Sequence, residues 1–296
     1  MMEDRDWLIL QVLYEQKNIT KTAQALFISQ PALTARLRHI EEEFGIKIAY
    51  RTSKGVHFTP QGEYLAKSSA EMLLKLRQIK ENITNMDSTV SGTLRLGASN
   101  YFTMYMLPRL LKLFKEQYPN VEFKVVTTWS REVFNLVHNQ EIHVGFVSSD
   151  YGWQDRRYLL FEEPICIASK DEINIKDLPK LPRISYQTDA LIKAVIDKWW
   201  RENFSEPPLI SMEVDKLATC KEMVINGLGY AIMPSIIVKA AKDLHKVILT
   251  DKEGQPLLRH AWMLYHEELL EMNIVKAFVS FVESIDFKKV ILDQIK

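Results

Sequence analysis

Hydrophobic and polar positions follow three successive regimes along the chain. Over residues 1–59 the apolar positions come in short bursts. Residues 7–14 read as an apolar-rich helix with Asp6 placed to cap it. Asn18 and Thr20 interrupt the pattern, and Thr20 is placed to cap a second short helix that turns Ala23 and Leu26 inward. Phe27 and Ile28 make a turn. Ser29 is placed to cap a third helix, with Pro31 in its first turn, where a missing N–H costs nothing. Leu33, Leu37, Ile40 and Phe44 recur at helical spacing and predict one buried stripe, which Gly45 ends. Residues 48–51 and 56–59 then read as two short strands around the turn Thr52-Ser53-Lys54-Gly55.

The second regime is one long helix. Thr59-Pro60 is a cap-plus-first-turn start signal, and no further proline interrupts the chain before Asp87. Leu65, Ser69, Met72, Leu76, Ile79, Ile83 and Met86 alternate at spacings of four and three, a heptad seam with one polar member. A partner helix satisfies so narrow a seam. The plain alternative is an amphipathic helix packed on its own domain.

In the third regime, after Ser91-Gly92, strand and helix patterns alternate. Strands are predicted at 93–98, 121–128 and 142–147, with helices at 107–118 and 131–139 between them. A second unit of the same kind begins at 164–169 and continues through 183–186, a helix at 189–203, a strand at 209–214, a helix ending at Asn226-Gly227, and a strand at 229–233. Residues 259–266 read as a return to the first lobe, closed by a helix at 269–283. Such βαβ order predicts a mainly parallel sheet with helices on both faces, split into two lobes.

Two short helices joined by a tight turn, followed by a hairpin, make a winged helix-turn-helix. The third helix carries Gln30, Thr34, Arg36 and Arg38, types that make bidentate contacts to base edges or reach phosphates and thymine methyls. A solvated helix face is the plain alternative for the two arginines. Overall composition does not decide between these: the formal net charge is zero, with 47% hydrophobic and 26% charged residues, as in ordinary globular protein. Local charge does favour nucleic acid. Lys17, Lys21, Arg36, Arg38, Lys47, Arg51 and Lys54 face only Glu41, Glu42 and Glu43 over residues 16–61.

Thr22-Ala23-Gln24-Ala25-Leu26, then Ser29-Gln30-Pro31-Ala32-Leu33-Thr34, then Glu41, Gly45, Arg51 and Thr59-Pro60-Gln61-Gly62 resemble the N-terminal domain of the LysR-type transcriptional regulators. Thr34 stands where that family usually has Ser. A polar or basic residue common there at the Ala35 position is missing, which shifts the expected contacts to Arg36 and Arg38. The expected DNA-contacting set is Thr20, Lys21, Ser29, Gln30, Pro31, Thr34, Arg36, Arg38, Arg51, Ser53 and Lys54. The expected dimerisation set is Leu65, Met72, Leu76, Ile79 and Ile83.

The resemblance also implies a two-lobed effector domain of the periplasmic-binding-protein type, with Asn226 to Pro234 matching the family's turn-strand-proline stretch, and assembly into dimers or tetramers. The expected domains are 1–59 (winged helix-turn-helix), 60–90 (linker and dimerisation helix) and 91–296 (effector-binding). Lobe I is expected at about 91–162 and 266–296, and lobe II at about 163–265. Ligands on open α/β sheets sit beyond the carboxyl ends of strands. Ser99, Asn100, Thr128, Ser148 and Thr188 follow strand ends and correspond to cleft positions of the family. Each can equally serve as a helix cap. Hydroxyls, amides and helix N-termini favour a small anion. Trp129, Tyr151 and Trp153 lie close in sequence, with core or rim as their plain alternative.

Other classes find little support. The seven histidines have no metal-type spacing, and neither a G-x-S-x-G elbow nor a phosphate-binding loop occurs. Gly227-Leu228-Gly229 lacks a third glycine. Cys166 and Cys220 read as reduced core residues. With an acidic start, no apolar leader and no apolar run of about 18 residues, the sequence favours neither export nor membrane insertion, and a solute-binding protein without DNA function is disfavoured. The expectation is a cytoplasmic regulator without enzymatic activity, cofactor or metal. Its expected partners are double-stranded DNA, a small-molecule effector and further copies of itself, with RNA polymerase a candidate.

Overall fold

The computed structural model describes residues 2–52, 55–84 and 89–292. The chain divides into two compact units, Met1–Thr84 and Asn85–Lys296.

The first unit opens with α1 (Asp4–Gln16), α2 (Ile19–Ala25) and α3 (Gln30–Phe44). Asp6 works with Glu3 at the start of α1, its Oδ2 accepting the Glu3 N–H at 2.8 Å. Asn18, rather than Thr20, caps α2: its Oδ1 accepts the Lys21 N–H at 3.0 Å. Ser29 caps α3 through the Ala32 N–H at 3.3 Å, and Gly45 ends it at φ +64°. Leu33 and Ile40 of the expected stripe are buried, and Phe44 at its end is exposed. The wing follows as β1 (Ala49–Thr52) antiparallel to β2 (Gly55–Phe58). Its second strand is docked on the end of α1 by the Val56 N–H to the Lys17 carbonyl, 2.9 Å.

Helix α4 (Pro60–Thr84) belongs to this unit and packs along α1. Thr59 ties its start to the wing: Oγ1 donates to the Lys47 carbonyl and accepts the Gly62 N–H at 2.9 Å. Gly62 lies so close that a Cβ there would sit 2.0 Å from the Ile48 carbonyl oxygen. Gly62→Ala is therefore expected to push α4 off the wing and destabilise the unit by about 1–3 kcal/mol, visible as a lower melting midpoint by circular dichroism.

The dimerisation set needs one correction. Leu65 is buried in the unit's own core with Leu10, Ile40 and Ile48, and Ser69 is fully buried, its Oγ donating to the Leu65 carbonyl at 2.7 Å. The first turns of the seam are thus spent on α1, as the intramolecular alternative had it. Leu76 is half-buried, whereas Met72, Ile79 and Ile83 are 44%, 47% and 64% exposed. Met86 lies outside the described residues.

The second unit runs β3 (Gly92–Ser99), α5 (Asn100–Tyr105), α6 (Leu107–Gln117), β4 (Val121–Thr128), α7 (Ser130–His138), β5 (Val144–Val147), β6 (Arg156–Ser169) and β7 (Arg183–Tyr186). It continues with α8 (Ala190–Asn203), β8 (Ile210–Val214), α9 (Leu217–Ile225), β9 (Ala231–Pro234), β10 (His245–Ile248), β11 (Leu258–Tyr265), α10 (Asn273–Ser284) and α11 (Phe287–Val290). β3 is parallel to β4 and β5, as the βαβ pattern predicts. β6 is one long strand. Its first half pairs with β11 and its second with β9 and β10, all antiparallel. β6 therefore runs through both lobes. β11 also pairs with β5, so the chain re-enters lobe I within β11. Lobe II is completed by β7 parallel to β8.

Core burial follows the apolar faces: Leu94, Leu96, Leu110, Phe114, Phe146 and Phe278 meet in the main cluster. Cys166 and Cys220 are buried and free, and burial pushes both thiols up to about 12, so neither is a thiolate near neutral pH. Among the described residues no helix is long and apolar enough to cross a membrane, and no group of side chains is arranged to hold a metal.

Candidate nucleic-acid interface and effector cleft

Successive helix residues turn by about 100°, so positions four apart share a face. Gln30, Thr34 and Arg38 lie on one exposed face of α3. Gln30 Nε2 donates to Thr20 Oγ1 at 2.8 Å, fixing the amide at the helix start. Thr34 Oγ1 accepts from Arg51 Nη2 at 2.5 Å, which joins the wing to the same face. Arg38 is 79% exposed and pairs with Glu42 at 2.8 Å, a weak surface pair. Thr20, Lys21, Ser29 and Pro31 are exposed beside them. Ser53 and Lys54, expected at the wing tip, lie outside the described residues.

Arg36 departs from the expected set. It projects to the opposite side of α3 and holds Asp6 through Nε and through Nη2 at 2.8 Å, with Glu3 at 3.0 Å. Asp6 is fully buried. Hydrogen bonding to Asp6 is the main influence holding the guanidinium charged. Arg36 thus ties α1 to α3 and lies away from the face shared by Gln30, Thr34 and Arg38. The angular relation among Thr34, Arg36 and Arg38 was available in the sequence; residue type alone misplaced Arg36.

In the second unit, Ser99, Asn100, Thr128, Ser148 and Thr188 all line one cavity of about 70 Å³ between the lobes. Strand ends bring them there: Ser99 closes β3, Thr128 closes β4, Ser148 follows β5, and Thr188 follows β7. Capping and lining coexist at Ser99, whose Oγ accepts the Phe102 N–H at 3.4 Å. Trp129 also faces the cavity, with the Lys216 ammonium 6.0 Å from its ring. Trp153 is core instead, its indole N–H donating to the Arg156 carbonyl at 3.0 Å. Tyr151 donates to Asp189, the N-cap of α8, a hydrogen bond from lobe I to lobe II. Burial is the main cause that holds the Tyr151 phenol well above its usual value, so it remains a donor.

The floor carries residues not anticipated from the sequence. Arg259 and Glu163 are cross-strand partners on β11 and β6, the two strands that join the lobes. Arg259 Nη1 donates to Glu163 Oε1 at 2.9 Å and Nη2 to Ser148 Oγ at 2.6 Å. Tyr101 donates to Glu163 Oε2 at 2.9 Å. Burial pushes the Glu163 carboxyl up, against the Arg259 charge and the Tyr101 hydrogen bond, which lower it.

Residues 87–285 match the family described as LysR substrate binding domain, and residues 5–63 match the bacterial regulatory helix-turn-helix protein, lysR family. Among curated proteins, the chain is 42% identical to the uncharacterised HTH-type transcriptional regulator YraN of Bacillus subtilis (strain 168), over 95% of this chain and 98% of that one. It is 32% identical to YkuM, an uncharacterised HTH-type transcriptional regulator of the same organism, over 95% and 97%. Among solved structures, full-length CbnR complexed with its target DNA shares the fold with a TM-score of 0.67 at 17% identity, over 95% of this chain and 99% of that one. The chain therefore belongs to the LysR family of transcriptional regulators, which are not enzymes, and joins a helix-turn-helix DNA-binding domain to an effector-binding domain.

Proposed function

We propose that two copies pair through Met72, Leu76, Ile79 and Ile83 of α4 and set α3 of each into a major groove of double-stranded DNA. The observation that carries this reading is the single exposed face on which Gln30, Thr34 and Arg38 meet Arg51 of the wing. Gln30 and Arg38 are the base-edge readers; Thr34 reaches a phosphate or a thymine methyl. Thr20, Lys21, Ser29, Pro31 and the wing residues Arg51, Ser53 and Lys54 bear on the sugar-phosphate backbone. CbnR, which has the same fold, is solved on its target DNA, and that role is carried over to this chain here. A small anion held by Ser99, Asn100, Thr128, Ser148 and Thr188 alters lobe closure and, through the oligomer, the arrangement on DNA. The protein acts in the cytoplasm as a dimer or tetramer, with RNA polymerase as the recipient of the change.

Fluorescence anisotropy with the DNA upstream of its own gene tests the reading. Arg38→Ala is expected to weaken binding by about 1–3 kcal/mol and relax preference at one base position. Arg51→Ala should weaken all sequences alike and lower the salt slope by about one. Wild-type affinity in both variants would refute the docking.

A further inference from the structure

A guanidinium offers five N–H bonds in a fixed fork. Arg259 uses one on Glu163 and one on Ser148, so three of the five are left without a protein acceptor among the described residues. The side chain is only 8% exposed, its Cζ lies 3.9 Å from the centroid of the Tyr101 ring, and it lines the cavity. A buried cation with unused donors turned to a cavity is built to receive an acceptor from that cavity.

The charge balance says more about that acceptor. Arg259 and Glu163 neutralise each other; of the other charged groups that line the cavity, Lys216 and Asp215 are exposed and Asp189 is half-buried. A bound monoanion leaves one uncompensated negative charge among buried groups, which is costly. Arg259 supplies the only full positive charge hydrogen-bonded to Glu163 among the described residues. The other groups facing this carboxylate are the Tyr101 hydroxyl from α5 and the Ile236 N–H beyond β9. Tyr186 of β7 and Cys166 of its own strand lie farther off. Burial already disfavours the charged form of Glu163, and an anion held by Arg259 offsets its main opposing influence.

We propose that the effector is a small, singly charged oxyanion, a carboxylate in its organic form, received by the unused N–H groups of Arg259, and that Glu163 takes one proton from solvent as the anion binds. The proton goes to the Glu163 carboxylate, whose Oε2 keeps the Tyr101 hydrogen bond. Effector binding and acidification then act in the same direction: the regulator reads a weak acid together with the pH at which that acid accumulates. This rests on the cleft being the effector site, as proposed above.

The test uses full-length protein and sodium acetate as the probe, with acetamide as its uncharged isostere. In a pH-stat titration near pH 6.5, proton uptake should approach one per acetate bound. Acetate affinity should fall by up to about tenfold per pH unit between pH 6 and 8. Glu163→Gln should bind acetate about tenfold more tightly at pH 7.5, with no proton uptake and no pH dependence, and acetamide should bind neither protein. Acetate binding without proton uptake by the wild type overturns the inference, whether or not the variant folds. Failure of acetate to bind either protein at tens of millimolar overturns it as well. Anisotropy with the upstream DNA on the same samples separates the two readings: retained DNA binding leaves the regulator reading standing while this inference falls.

Discussion

Arg36→Gln is expected to unfasten the DNA-binding unit while leaving its base preference intact. Asp6 has no exposed surface and relies on Arg36 as its cationic partner, which it shares with the exposed Glu3. Removing the cation strands a buried carboxylate, one of the few single changes with a large destabilising effect. The melting midpoint of the N-terminal unit should fall by roughly 10 °C, given several degrees per kcal/mol in a domain of this size. The ranking of operator variants by the folded fraction should not change. Were Arg36 a base reader, the opposite would hold: an unchanged midpoint and a relaxed preference at one base position. Thermal melts alongside a competition series on single-base operator variants separate the two.

Arg259→Met should have an effect of similar size on the effector unit, and one that depends on pH. Glu163 is 1% exposed, and its carboxyl is already pushed up by burial. Loss of the buried partner costs about 3–5 kcal/mol when the remaining group is charged. The sign with pH follows from proton counts. A folded-state value above the unfolded value near 4.3 means that the folded chain binds more protons between the two, so stability is full below the unfolded value and is lost as pH rises through the folded one. Arg259 opposes that rise in the wild type, so the variant should lose more stability between pH 5.5 and pH 8 than the wild type does. Equal midpoints for the variant at both pH values would show that Glu163 is not the stranded group.

Local chemistry made much of this protein legible. Ser29, Pro31 and Gly45 mark both ends of α3 because caps and turns depend on neighbours a few residues away. The βαβ alternation placed β3, β4 and β5 correctly, and with them the strand ends where Ser99, Thr128 and Ser148 gather. Contacts between distant segments were not legible. The seam from Leu65 reads as a heptad whichever helix covers it, and only the fold shows that α1 takes its first turns. Residues 156–163 and 245–248 carry no strong strand pattern, so the first half of β6 and all of β10 were missed, and with them the pairing of Arg259 with Glu163, which lie 96 residues apart in sequence. Arg36 failed for a different reason: its identity suggested DNA, while its angle on α3 pointed at Asp6.

Hydroxyl-radical footprinting of the upstream DNA, with the oligomeric state fixed by solution scattering, tests the central claim most directly. Two protected half-sites on one face of the duplex, one helical turn or a multiple apart, are expected from a dimer or tetramer and should vanish together in an Arg38→Ala, Gln30→Ala double variant. A monomer that leaves the backbone uniformly cleaved would contradict the account.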